Sequence, residues 1–182
     1  MTNNFTFNSM HEYTSNNISE ALEKFNPNGN YPIFVCIGSD LIMGDSLGPL
    51  VGTLLRKNKI SSFVYGTLNF PITAKEIEYA KTNLKLMHPN SKIIAIDAAV
   101  GIADDVGLIK VCDKGLKPGL GVNKNLGQIG DISIIGIVAA KSLQNYNLYN
   151  LTRLNLIYKM AEKIADGIIN YLNNFNQTKN AI

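Results

Sequence analysis

The chain has little of what marks several classes of protein. Its 182 residues include no tryptophan, two histidines and two cysteines. Two cysteines, Cys36 and Cys112, cannot build the disulfide framework of a small secreted protein, so a reducing compartment is expected. No apolar run approaches the roughly 20 residues that span a bilayer, and the N-terminus lacks the basic and apolar parts of a signal peptide. The net charge of +3 is spread along the chain and does not favour nucleic acid. We therefore expect a cytoplasmic protein with neither a membrane nor a nucleic-acid partner.

The pattern of apolar residues predicts a polar arm followed by one α/β domain. Residues 1–30 are rich in asparagine and hold one short helical pattern, Ile18–Phe25, so we interpret them as a surface arm. From Tyr31 onward, through 31–182, buried strands alternate with amphipathic helices. This alternation is typical of a mostly parallel sheet with helices on both faces. Strands are predicted at 31–37, 62–66, 92–96, 106–111 and 131–138, and helices at 46–57, 74–87 and 151–173.

Two aspartates fall where such a sheet places its ligands, beyond the carboxyl ends of the strands. Asp45 lies in the loop after the strand at 31–37, and Asp97 directly follows the strand at 92–96. Asp97 comes after an unbroken apolar run, so we expect lost hydration to raise its pKa. Asp45 begins a helix, whose dipole is expected to lower its pKa. Two carboxyl groups with such different surroundings suit acid and base catalysis on a water molecule, or the binding of a divalent metal.

Each of these residues also has a structural interpretation. Asp45 is a candidate helix N-cap, and Asp97 a candidate turn-capping loop residue. Asp40, a third carboxylate in the same loop, either supports Asp45 or is solvated. The lysine-bearing loop 114–128 is either a lid over a substrate or a solvated loop.

Other chemistries have weaker support in the sequence. The glycine loop at 38–44 has neither the G-x-G-x-x-G spacing nor the lysine of a phosphate-binding loop. His11 and His88 lack metal-ligand spacing to each other or to a cysteine, so a zinc site has little support; no cofactor is expected, and a divalent metal at the carboxylates is the weaker alternative. Cys36 sits in the middle of a strand, where a buried small side chain is expected rather than a nucleophile.

Seven short motifs in order make the chain resemble the YyaC-type sporulation protein family of endospore formers. Among them are Gly44-Asp-Ser-Leu-Gly-Pro-Leu50, Ile93-Ile-Ala-Ile-Asp-Ala98, Lys117-Pro-Gly-Leu-Gly-Val-Asn-Lys124 and Gly130-Asp-Ile-Ser-Ile-Ile-Gly136. That family in turn resembles the germination protease of spores and, more distantly, the hydrogenase maturation proteases. The resemblance implies a three-layer α/β/α sandwich of the phosphorylase/hydrolase-like type. It also implies a spore protease-like peptidase in the sporulating cell or forespore, with Asp45 and Asp97 as the catalytic pair.

The chain departs from the family pattern at three positions near this pair. Leu41 and Ile102 stand where the family has arginines, and Thr73 stands where it has a histidine. A catalytically inactive module that binds peptides or proteins with the same fold is therefore the alternative to a peptidase, and a metal-assisted hydrolase is a weaker one. For either function we expect a protein or peptide to be held by polar residues around the pair, namely Asp40, Thr73, Lys117, Asn123 and Lys124.

Overall fold

The computed structural model describes residues 3–118, 127–141 and 152–180, which form a mixed α/β fold. The strands are β1 (Asn4–Asn8), β2 (Pro32–Cys36), β3 (Val64–Tyr65), β4 (Lys92–Gly101), β5 (Leu108–Cys112) and β6 (Ile132–Ala140). The α-helices of the described residues are α1 (Thr14–Phe25), α2 (Leu47–Lys57), α3 (Ile77–Met87) and α4 (Leu154–Asn180). Short 3-10 turns lie at Met43–Ser46 and Ala103–Asp105. Within the described ranges no helix is both long and apolar enough to cross a bilayer.

The strands form one sheet in the order β1-β5-β6-β4-β2-β3. β2 is parallel to β3 and β4, and β4 is parallel to β6, which confirms the predicted mostly parallel sheet. β5 is antiparallel to both β6 and β1. The connection from β4 to β5, residues 102–107, is too short for the helical crossover that a parallel neighbour needs, so the chain reverses direction there.

Alternate residues of the central strands pack into two separate hydrophobic clusters. Phe34 and Cys36 of β2 belong to the cluster that includes apolar residues of α1, α2 and α4. Ile33 and Val35 belong to the cluster that includes Ile77 and Leu84 of α3. Because successive side chains of a strand point to opposite faces, each face of the sheet carries an apolar cluster to which helix residues contribute. This explains why β2 is apolar at every position and buried throughout.

Residues 4–25 supply a strand as well as the expected helix. The helix α1 begins at Thr14, earlier than its predicted start, and packs against α4 with Ile18 and Leu22 fully buried. β1 was not predicted. It is an edge strand of alternating polar and aromatic residues, with Phe5 and Phe7 packed against the main cluster. The alternation in this otherwise polar segment was the available signal, since a half-buried edge strand needs only one apolar face.

β4 continues five residues past its predicted end at Ile96. The expectation that Asp97 directly follows the strand is therefore wrong, because Asp97 lies inside β4, paired with Ile135 of β6. The residues that follow, Ala98 to Gly101, are small and continue the pairing with β6 to Ala140. β2 does not follow this extension, since its register with β4 stops at Cys36 and Ile96.

Candidate functional site

The loop between β2 and α2 is packed tightly against the end of β2 by two glycines. Gly38 has a φ of +140°, and a Cβ added there would lie 2.0 Å from the backbone oxygen of Asp45. A Cβ at Gly48 would lie 2.0 Å from the backbone oxygen of Ile37. The Ser39 N–H donates a hydrogen bond of 3.0 Å to the same Asp45 oxygen and closes the loop. The glycines thus permit a close approach of backbone to backbone, and this approach holds Asp45 next to the strand end.

Asp45 lies inside the 3-10 turn Met43–Ser46, and its N–H donates to the Ile42 oxygen at 2.9 Å. The N-cap interpretation is wrong, because α2 begins two residues later and no side-chain capping hydrogen bond forms at either element. Burial raises the pKa of Asp45, and a hydrogen bond from the Ser39 backbone opposes the effect. The predicted lowering of this pKa is wrong as well, since loss of hydration outweighs any benefit from a nearby helix start.

Asp97 is a half-buried carboxyl group in the part of β4 that extends beyond β2. Its pKa is raised well above the ordinary value, first by burial and second by the negative charge of Asp45. A hydrogen bond of 2.8 Å from the Ala98 N–H to Asp97 Oδ1 acts in the opposite direction. The predicted rise in the pKa of Asp97 is confirmed, with the neighbouring carboxylate as an additional cause.

Asp45 and Asp97 thus interact electrostatically although they lie far apart in the sequence, since the charge of Asp45 raises the pKa of Asp97. A charge shifts a neighbour's pKa appreciably only at short range or through a poorly solvated medium. Both pKa values are raised, and that of Asp97 is raised further. In such a pair the two carboxyl groups titrate together, and ionisation of one makes ionisation of the other less favourable. The arrangement is chemically able to accept a proton at one carboxylate and to donate one from the other.

The remaining predicted site residues are not all gathered at this pair. Asp40 is exposed in the loop that carries Asp45, and Lys117 is exposed beside the bridge between Leu116 and Ile129. Asn123 and Lys124 lie outside the described residues. The backbone of Ile72 accepts a hydrogen bond of 2.9 Å from Gly38, which places the segment before Thr73 next to the Asp45 loop.

Thr73 has a structural partner. Its hydroxyl and its backbone N–H both contact Glu76 Oε2, at 2.5 and 2.9 Å. The Lys75 N–H in turn donates a hydrogen bond of 3.3 Å to the Thr73 hydroxyl, so these contacts hold the turn that precedes α3, whereas α3 itself has no side-chain cap. The hydrogen bond from Thr73 lowers the pKa of Glu76. Thr73 therefore has a structural role in the turn before α3.

Large apolar side chains are exposed in the loops at the carboxyl end of the parallel strands. They are Leu41, Ile42, Met43, Phe70 and Ile102, with exposed fractions from 38% to 89%. Sequence reasoning noted Leu41 and Ile102 only as departures from a family pattern and missed the group. The signal was available in the run Leu41-Ile-Met43, which is apolar although it lies in a loop. Apolar side chains left in water beside a candidate site favour an apolar ligand.

The described ranges hold neither a metal-binding cluster nor an accessible Cys36 thiol to accompany the pair. No three side chains of histidine, cysteine, aspartate or glutamate are grouped so as to hold a metal ion in the part of the chain that is described. Cys36 is fully buried and its thiol pKa is raised by burial, as expected for a packing residue. His88 Nε2 lies 2.6 Å from the Tyr65 hydroxyl. A cavity of about 440 Å³ near β3, lined in part by Arg56 and Phe63, does not include either aspartate.

Two comparisons with known proteins agree on the relationships of the chain. The profile of a family described as "Protein of unknown function (DUF1256)" matches residues 4–167. The "Uncharacterized protein YyaC" of Bacillus subtilis (strain 168) is 42% identical over 137 residues, which cover 75% of this chain and 67% of that protein. The predicted YyaC-type relationship is confirmed. The matched region includes the N-terminal strand and helix as well as both aspartates.

Proposed function

Because the chain belongs to the DUF1256 family, whose description names no activity, we propose a function from the site itself: hydrolysis of peptide bonds by the Asp45 and Asp97 pair. The observation that carries the proposal is that the Asp45 loop folds back onto the end of β2, which pairs with β4, so that the charge of Asp45 raises the pKa of Asp97. A carboxyl group that keeps its proton beside one that loses it is the arrangement expected of a general acid and a general base.

The proposed reaction uses water as the nucleophile. Ionised Asp45 accepts a proton from the water molecule while the water oxygen bonds to the carbonyl carbon of the peptide. Protonated Asp97 donates its proton to the departing amine as the carbon–nitrogen bond breaks. The products are a carboxylic acid and an amine, and proton exchange between the carboxyl groups and solvent restores the starting state. No cofactor is required by this scheme, and a divalent metal held by both carboxylates is the weaker variant.

The resemblance to spore proteases extends the proposal to the fold, the substrate and the cellular location. We propose a three-layer α/β/α sandwich of the phosphorylase/hydrolase-like type, which two clusters on opposite faces of a mostly parallel sheet support. Spore proteins are the proposed substrates, and the cytoplasm of the sporulating cell or forespore is the proposed location. The exposed apolar loops favour a substrate with apolar side chains near the cleaved bond.

The test is cleavage of small acid-soluble spore proteins by the purified chain, followed by mass spectrometry of the fragments. We expect Asp45→Asn and Asp97→Asn each to reduce the cleavage rate by at least 100-fold, the lower end of what a positioned acid or base contributes. Asp113→Asn, which removes an equal charge at an exposed site, is the matched control and should retain full activity. Cleavage that survives both site substitutions would reject the pair.

A peptide- or protein-binding module without catalysis is the second candidate. It is favoured by the departures at Leu41, Thr73 and Ile102, and by the engagement of Thr73 with Glu76 in place of a histidine beside the pair. Binding of a spore protein without fragments, with the same affinity in Asp45→Asn, would support this candidate. Titration of wild type and Asp45→Asn with divalent ions in a calorimeter tests the metal-assisted mechanism. This mechanism predicts heat of binding in wild type that is lost in Asp45→Asn, whereas the metal-free peptidase and the binding module predict no heat in either protein.

A further inference from the structure

The extension of β4 past the end of β2 leaves one side of that strand without a neighbouring strand in the described residues. The Ile37 N–H donates to the Ile96 oxygen at 2.8 Å, and the register between β2 and β4 goes no further. At Gly38 the chain turns away, with its N–H donating to the Ile72 oxygen instead. β4 itself runs on to Gly101, held from its other side by β6.

The alternation of backbone groups along β4 identifies which atoms face the open side. In a strand, the N–H and C=O of one residue point to the same side, and those of the next residue point to the other. The Ile96 oxygen faces β2, whereas the Ile93 and Gly101 oxygens face β6, where they accept hydrogen bonds from Asp131 and Lys141. Ala98 and Val100 therefore direct their backbone groups to the side that β2 has left.

One of these groups is already engaged. The Ala98 N–H donates to Asp97 Oδ1 at 2.8 Å. This leaves the C=O of Ala98 and the N–H and C=O of Val100 directed to the open side. Val100 is half-buried whereas Ala98 is buried, so Val100 is the more accessible of the two residues. Together they form a short strand edge that begins one residue after Asp97.

We propose that a substrate peptide binds in extended conformation along this edge, as an added strand beside Ala98 and Val100. The inference rests on the proposed function and specifies how the substrate is held. Backbone pairing would supply affinity independently of sequence, and alternate side chains of the peptide would face the loops on either side. The exposed Leu41, Ile42 and Ile102 at this end of the sheet favour apolar peptide side chains there. A peptide on this edge passes directly beside the carboxyl pair.

The probe is a fluorescein-labelled heptapeptide with leucine at its second, fourth and sixth positions and threonine elsewhere. Binding is measured by fluorescence polarisation with Asp45→Asn, so that cleavage does not consume the probe. A series of probes, each carrying one N-methylated amide, reports which peptide N–H groups are used. We expect sensitive positions to alternate along the peptide, with about a 3- to 10-fold loss of affinity at each, equivalent to one hydrogen bond.

Proline substitution in β4 provides the test from the protein side. Val100→Pro removes an N–H that faces the open side, whereas Ala99→Pro removes one that faces β6. Both restrict φ in the same way, although the pairing of β4 with β6 shifts register between the two positions, so stability and probe binding are measured for each. We expect Val100→Pro to keep a thermal midpoint above that of Ala99→Pro and to weaken probe binding about 3- to 10-fold. Val100→Ala keeps the N–H and controls for loss of the Val100 side chain, which packs against the main cluster, so it should bind the probe more tightly than Val100→Pro does.

The outcomes separate this inference from the peptidase proposal. Alternating sensitivity to N-methylation supports the added strand even where no cleavage of the unmethylated probe by wild type is found, and it remains decisive if Val100→Pro fails to fold. Cleavage or binding that tolerates every N-methyl group would overturn the added strand while leaving the peptidase proposal in place. Equal binding by Val100→Pro and Val100→Ala would overturn it as well.

Discussion

The raised pKa of Asp97 predicts that this residue destabilises the folded protein at neutral pH. A carboxyl group whose pKa is higher in the folded than in the unfolded chain holds its proton more tightly when folded. Its contribution to stability is fully present below the unfolded pKa, about 3.9, and is lost as the pH rises through the folded pKa. Asp97→Asn keeps the shape of the side chain and an acceptor for the Ala98 N–H, and it cannot ionise.

The size of the effect follows from the pKa difference. Each unit by which the folded pKa exceeds the unfolded one corresponds to about 1.4 kcal/mol of unfolding free energy once the group is ionised. For a chain of this length that is about 3–5 °C in thermal midpoint per unit. We expect Asp97→Asn to be more stable than wild type at pH 7, and the difference to vanish below about pH 4.

The measurement is urea unfolding of wild type and Asp97→Asn at a series of pH values. The difference between the two proteins is used because other carboxyl groups, including Asp45 and Asp166, also have raised pKa values. Asp113→Asn controls for the change in net charge and should track wild type. A difference that is absent at pH 7, or that does not depend on pH, would refute the assignment of Asp97 to a poorly solvated site next to another carboxylate.

Two further substitutions test how the site is built. Gly38→Ala should abolish peptide cleavage and lower the thermal midpoint, because its Cβ would collide with the Asp45 backbone, and overpacking of this kind costs about 1–3 kcal/mol. Gly29→Ala is its control, since Gly29 also has a positive φ but a Cβ there meets nothing closer than 3.9 Å; equal losses in the two variants would contradict the role of the collision. Thr73→Ala should cost about 0.5–1.5 kcal/mol at pH 7 through loss of the hydroxyl's hydrogen bonds, and less at a pH below the lowered pKa of Glu76, where this carboxyl group is protonated. Thermal unfolding at pH 7 and at a pH well below the ordinary glutamate pKa of about 4.3 checks this, and a loss of peptide binding at unchanged stability would instead favour the predicted contact with substrate.

Local patterns in the sequence determined the α/β class and the elements of the domain that starts at Tyr31. The apolar run at 31–37 and the periodic residues of α2, α3 and α4 predict their elements because burial on one face or two leaves a direct trace in residue order. The choice of Asp45 and Asp97 also came from the sequence, since both follow apolar runs of strand length, although Asp97 lies inside β4 rather than after it. The exposed apolar loop residues and the amphipathic strand β1 also have sequence signals, but each signal spans only three to five residues and is therefore weaker.

Tertiary structure decided what depends on the neighbours of each residue. The end of β4 is set by how far β6 accompanies it, and the open edge at Val100 by how early β2 stops. The pKa of Asp45 rises although its position near a helix start suggested the opposite, because hydration is lost to atoms distant in the sequence. The order of residues shows which side chains are buried, whereas strand pairing and pKa values depend on contacts between segments that are distant in the sequence.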